Sequence, residues 1–146
     1  MSADNNQESL KLKSFSAWLG MATSIVLLAI SAYMGLARQT FLSEADIAPG
    51  MVISLNAGGA HPQIEFAASD GKTYRYPQGG MIYGYRTGQA VEVLYLQKNP
   101  QLTAVISDTG AIWGPAALIA LIGLGFGVLS MLTFYNPWEK NGMRNA

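Results

Sequence analysis

Two stretches without a single charged residue bracket the middle of this chain: Ser14–Ala37 (SFSAWLGMATSIVLLAISAYMGLA) and Ala111–Tyr135 (AIWGPAALIALIGLGFGVLSMLTFY). A helix of roughly 20 apolar residues crosses the hydrocarbon core of a bilayer, and each run is long enough. The segment between them is more polar and too short to bury a large core of its own. The pattern predicts a membrane α+β protein, with two transmembrane helices flanking a small five-stranded antiparallel β barrel or curled sheet. Its divisions are a cytoplasmic tail over 1–13, a first helix over 14–37 and a linker or helix extension over 38–49. An extracytoplasmic β domain over 50–110, a second helix over 111–135 and a cytoplasmic tail over 136–146 follow.

The first run has a second reading. Lys11 and Lys13 supply a basic start, and Gly35-Leu36-Ala37 has the small-x-small form of a cleavage site. A signal peptide has an apolar region of only about 7–15 residues, however, which favours an uncleaved anchor here. Basic residues near span ends set orientation. Lys11, Lys13, Lys140 and Arg144 flank the runs on the outside, against Arg38 and the more distant Lys98 between them. That bias predicts both termini in the cytoplasm and the middle domain outside it. Trp18, Trp113 and Trp138, with Tyr33 and Tyr135, stand near the run ends, where aromatic belts form.

Between the runs the apolar period changes to two. Met51–Leu55, Gln63–Ala68, Lys72–Tyr76, Gln89–Leu96 and Leu102–Ser107 read as five strands. Asp70-Gly71 predicts a two-residue type I′ hairpin turn. Asn56–Gly59, Pro77–Gly80 and Lys98–Pro100 punctuate the rest. A sheet this small exposes its edges unless it closes or curls. Met1–Gln7 is polar and predicts a frayed tail. Ser43 and Asp46 have capping spacing, but the apolar run a helix needs does not follow them.

Composition removes whole classes of function. Nine basic residues balance nine acidic ones without a block of either sign, so no nucleic-acid partner is expected. The chain has no cysteine, which excludes disulfides, thiolate metal sites and a cysteine nucleophile. Neither apolar run carries a charged residue, which argues against a pump or a voltage sensor.

The strand motifs resemble a known family in their order. Gly50-Met51-Val52-Ile53-Ser54, Ile64-Glu65-Phe66, Asp70–Tyr76, Gly88–Tyr95, Asn99–Ile106 and the apolar stretch from Trp113 are similar to the domain-of-unknown-function family 3592. Leu96-Gln97-Lys98 departs from that pattern, at a turn. The resemblance implies a bacterial inner-membrane protein with a small extracytoplasmic β domain. It implies no established activity and brings no catalytic residues.

Two features carry candidate interactions. Ala116, Ala120, Gly123, Gly127 and Ser130 form a small-residue stripe on one face of the second helix. Such stripes let helix backbones approach closely. The first run has a partial counterpart in Ala17, Gly20, Ser24 and Ser31, so pairing is expected within the chain or with a partner's helix. Tyr74, Arg75, Tyr76, Tyr83, Tyr85 and Arg86 are a dense aromatic and basic cluster. Such a cluster fills a barrel, meets lipid headgroups, or binds a protein or glycan.

The remaining candidates point away from chemistry. His61, the lone histidine, falls in an expected loop. Glu65, Asp70, Glu92 and Asp108 show no catalytic spacing. No catalytic, metal or cofactor site is expected. The partners expected are the lipid bilayer and a protein partner or a second copy of the chain. The function read from these features is a non-enzymatic interaction or structural module. The alternative is an immunity or regulatory protein that acts on a toxin or a membrane complex through helix pairing.

Overall fold

The computed structural model describes residues 2–56 and 61–135. It forms two compact units, one from Met1–Ala32 with Leu118–Ala146 and the other from Tyr33–Ala117.

In the first unit the helical framework comes from α1 (Ser2–Glu44) and α4 (Gly114–Phe134), both of which continue into the second unit. Two segments, Lys11–Glu44 and Gly114–Phe134, are long and apolar enough to cross a membrane. At 1.5 Å per residue α4 is about 31 Å long, close to the hydrocarbon thickness. The helix starts at Ser2, where the polar composition predicts a frayed tail. Large apolar side chains such as Leu19, Ile25, Leu121 and Leu129 face outward, whereas Ala17, Ser24, Gly123 and Ser130 are buried. Among the described residues of the first unit, those that are buried are therefore all small.

The second unit is a five-stranded antiparallel sheet in the order β3-β2-β1-β4-β5. Its strands are β1 (Asp46–Asn56), β2 (His61–Ala67), β3 (Thr73–Pro77), β4 (Ala90–Tyr95) and β5 (Val105–Ile106). The long β1 lies at the centre and serves both halves. Its first residues pair with β4, from Asp46 opposite Tyr95 to Met51 opposite Ala90. Its later residues pair with β2, from Gly50 opposite Phe66 to Asn56 opposite His61. The register shifts between Val52 and Ser54, a bulge that locally increases strand twist.

The sheet's inner face holds Val52, Ile64, Phe66, Tyr76, Val93, Tyr95 and Ile106, all buried. Phe66 sits among three tyrosine rings, with centroids 5.9 Å to Tyr74, 6.0 Å to Tyr76 and 5.2 Å to Tyr95. Tilted and edge-on arrangements at these distances suit the ring quadrupoles. The Tyr95 hydroxyl also accepts the Ser69 N–H at 2.9 Å.

Several local expectations need correction. The segment expected as a linker or helix extension over 38–49 does extend α1, as far as Glu44, but then opens β1 at Asp46. His61 begins β2 and is not a loop residue. Only Val105 and Ile106 of the expected fifth strand pair, because Pro100 opens the short helix α2 (Pro100–Thr103) just before them. Proline suits a first helical turn and cannot donate to a ladder.

The Asp70-Gly71 hairpin has a three-residue loop. Gly71 N–H donates to the Ala68 carbonyl, Ala68 N–H donates to the Lys72 carbonyl, and Gly71 has φ of 79°. This is a tight turn closed by a left-handed glycine, as three-residue hairpins require. The expected second helix is also divided. A short α3 (Thr109–Ile112) gives way to α4 at Trp113. Pro115 has no N–H to return to the Ala111 carbonyl, so the regular ladder breaks there.

Candidate interaction surface

The strand β3 ends at Pro77, and the chain then runs through Gly79-Gly80-Met81 toward the exposed Tyr83 and Arg86. Three glycines fix this loop against the start of the second apolar segment. A Cβ on Gly110 would collide with the Met81 carbonyl oxygen. One on Gly80, whose φ is 99°, would lie 2.8 Å from the Ala111 Cα, and one on Gly114 would lie 3.0 Å from the Met81 Cβ. Backbone meets backbone here, and the Met81 N–H donates to the Gly110 carbonyl at 3.1 Å.

Asp108 completes the joint. Its Oδ1 accepts the N–H groups of Gly110 and Ala111, capping α3, and its Oδ2 accepts the Tyr85 hydroxyl at 2.8 Å. Burial, then the hydrogen bond to this carboxylate, pushes the Tyr85 phenol up to about 12. The carboxylate therefore organises the loop, and its two oxygens are occupied in doing so.

The six residues of the aromatic and basic cluster divide by role. Tyr76 is 5% exposed and belongs to the core, so it cannot serve as contact surface. Burial raises its phenol, whose hydroxyl donates to Gln78. Tyr74 is half-buried, and its hydroxyl donates to Asp70 at 2.7 Å. That hydrogen bond raises the phenol and lowers the Asp70 carboxyl. Arg75 pairs with Glu65 across β2 and β3 on the outer face, a surface ion pair worth little to stability. Tyr85 is tethered to Asp108. Tyr83, 78% exposed, and Arg86 remain open to a partner.

Sequence reasoning missed Gln78. It is 4% exposed, and its Oε1 accepts both the Tyr76 hydroxyl at 3.0 Å and the Ile106 N–H at 2.8 Å. Its Nε2 donates to the Gly79 carbonyl. The strands β3 and β5 form opposite ends of the sheet order, yet this side chain reaches from just past one to the other. Gln101 adds a second link, donating from α2 to the Arg75 carbonyl at 3.0 Å. The sheet thus curls until its ends are joined by side chains, with no β3–β5 ladder among the described residues. A glutamine between strand-ending proline and glycines reads as a turn, which hid it.

The stripe residues also divide. A Cβ on Gly123 would come within 3.1 Å of Leu27, and one on Gly127 within 2.8 Å of the Ser24 hydroxyl. A Cβ on Gly20 would strike the Ser130 hydroxyl. Gly123, Gly127 and Ser130 therefore face α1 of the same chain, and Trp18 meets Phe134 edge-on at 5.5 Å. Ala116 lines a groove in the second unit, and Ala120 is half-buried.

Chemistry finds no centre among the described residues. No three of His, Cys, Asp and Glu gather to hold a metal. Glu65 faces Arg75, Asp70 closes its turn, Asp108 caps α3 and Glu92 lies exposed opposite Pro49.

No family model matches the chain, and no solved structure matches it. Over 92 residues it is 46% identical to the immune protein Tsi4 of Pseudomonas aeruginosa, a match spanning 63% of this chain and 63% of that protein.

Proposed function

We propose that the chain is a membrane-held immunity protein that protects its own cell by binding a toxin. The observation that carries this reading is the 46% identity to the immune protein Tsi4. Such a protein works by occupying its target and needs no catalytic centre, in keeping with acidic residues committed to turns, caps and a surface ion pair. Its partner would be a protein toxin that acts at or in the membrane. Two helices of membrane-crossing length and composition support anchorage in the bacterial inner membrane. The flanking lysines and arginines support cytoplasmic termini with the sheet outside.

The internal engagement of Gly123 and Gly127 bears on how a toxin would be held. A partner helix would have to displace α1 to use that face. Tyr83 and Arg86 offer a contact without such a cost, so we place the toxin on the β unit's loop.

The test is competition between siblings. A strain lacking this gene, mixed with its parent, should be depleted, and the chain supplied in trans should restore it. Equal survival with and without the chain would overturn the immunity reading. Orientation is tested separately, with one cysteine at Lys72 and another at Glu8. A membrane-impermeant maleimide on intact cells should label only the first. Labelling only the second would invert the topology.

A further inference from the structure

The second unit contains an open groove of about 490 Å³, within the size range of small-molecule sites. One wall is α1, through Tyr33, Met34 and Ala37, the last residues of the first apolar run, and then Arg38. The opposite walls include Leu102, Ile112 and the beginning of α4. Arg38 is the one charged residue among those lining the groove. Its guanidinium lies 5.4 Å from the Phe41 ring centroid, and among the described residues no carboxylate pairs with it. Leu102 is 87% exposed.

The chemistry of this groove is split. Apolar side chains dominate it, and a single cation follows directly on the hydrocarbon-length run. Water solvates such a surface poorly. An amphiphile with an apolar chain and an anionic head complements it, the chain along Met34, Ala37 and Ile112 and the head at Arg38. Arginine presents a planar fork of donors suited to a phosphate. A toxin segment would also cover apolar surface, but an unpaired cation at the end of a span specifies the phosphate of the adjacent leaflet more directly.

We propose that this groove binds one anionic glycerophospholipid, with its phosphate at Arg38. The proposal rests on the membrane reading above, and not on immunity.

The test uses the full chain extracted from membranes in mild detergent, with equal phosphatidylglycerol and phosphatidylethanolamine added, and native mass spectrometry as the readout. One phosphatidylglycerol per chain is expected, retained at least tenfold over phosphatidylethanolamine. Arg38→Gln should cut that occupancy at least tenfold and Arg38→Lys should keep most of it. Ala37→Phe, which fills the groove with the cation intact, should also abolish it. Circular dichroism reports that each variant is folded. Equal retention of the two lipids, or unchanged occupancy in both Arg38→Gln and Ala37→Phe, would overturn the site. So would a co-purifying polypeptide, lost in Arg38→Gln, in place of lipid. Recovery of the chain in detergent-free buffer would instead overturn the membrane reading, and the site with it.

Discussion

Gln78 Oε1 accepts the backbone N–H of Ile106 at 2.8 Å, so a side chain just past β3 joins the far end of the sheet order at β5. The same oxygen accepts the Tyr76 hydroxyl, and both partners are buried. Gln78→Ala would leave a buried N–H and a buried hydroxyl without an acceptor. Each orphaned group costs about 1–3 kcal/mol. We expect Gln78→Ala to lower unfolding free energy by at least that much and to depress the thermal midpoint of the β unit. An unchanged midpoint would mean that the sheet ends hold together without it.

The helix pair offers a prediction with its own control. Gly127→Ile places a branched side chain where Ser24 Oγ stands 2.8 Å from a single Cβ, and Gly123→Ile presses on Leu27 and Leu28. Overpacking typically costs about 1–3 kcal/mol per site. Gly125 lies between them on the same helix, and its Cβ would meet nothing within 4 Å. The double variant should lose thermal stability in detergent, while Gly125→Ile should not. Equal behaviour of the two would contradict the α1–α4 packing.

Much of this architecture was legible because its signals are periodic. Two runs of spanning length became helices, and alternation at Ile64, Phe66, Tyr74 and Tyr76 placed those residues on one face toward a common core. Less legible were contacts that period does not encode. Whether Tyr74 to Arg86 forms surface depends on which hydroxyls find internal acceptors. Tyr76 finds Gln78 two residues on, and Tyr85 finds the distant Asp108, and the apolar period encodes neither pairing. The glycines at 80, 110 and 114 read as punctuation, although they permit a close backbone approach between distant segments. Pro100 and Pro115 were visible, but their power to shorten a strand and divide a helix yields to no apolar count.

Tyr85 makes alkaline stability a sensitive readout of the loop joint. Its folded phenol is raised to about 12, above the ordinary value near 10. A raised value means that the fold favours the protonated form. The contribution is therefore complete below pH ~10 and is lost as pH climbs through about 12, since the unfolded chain ionises first. Tyr85→Phe removes this group's share, so its stability should fall less steeply between pH ~10 and 12. Tyr76, also raised, would leave some slope behind. Identical alkaline profiles for the wild type and Tyr85→Phe would place the Tyr85 hydroxyl in solvent.

The contact proposed for the toxin separates two neighbours that sequence alone treats alike. Tyr83 is 78% exposed, while the Tyr85 hydroxyl is engaged by Asp108. Exposed aromatic and arginine side chains supply most hot-spot energy at protein interfaces, commonly about 2 kcal/mol or more each. Tyr83→Ser with Arg86→Ala should therefore weaken protection in the sibling competition by at least tenfold. Away from internal contacts, such surface changes should alter stability by no more than about 0.5 kcal/mol. Tyr85→Phe keeps the ring and should retain protection. Full protection by the Tyr83→Ser, Arg86→Ala variant, with normal abundance in the membrane, would move the contact away from this loop. The outward apolar faces of α1 and α4 would then be the surface to scan, because the small-residue face is already filled from within the chain.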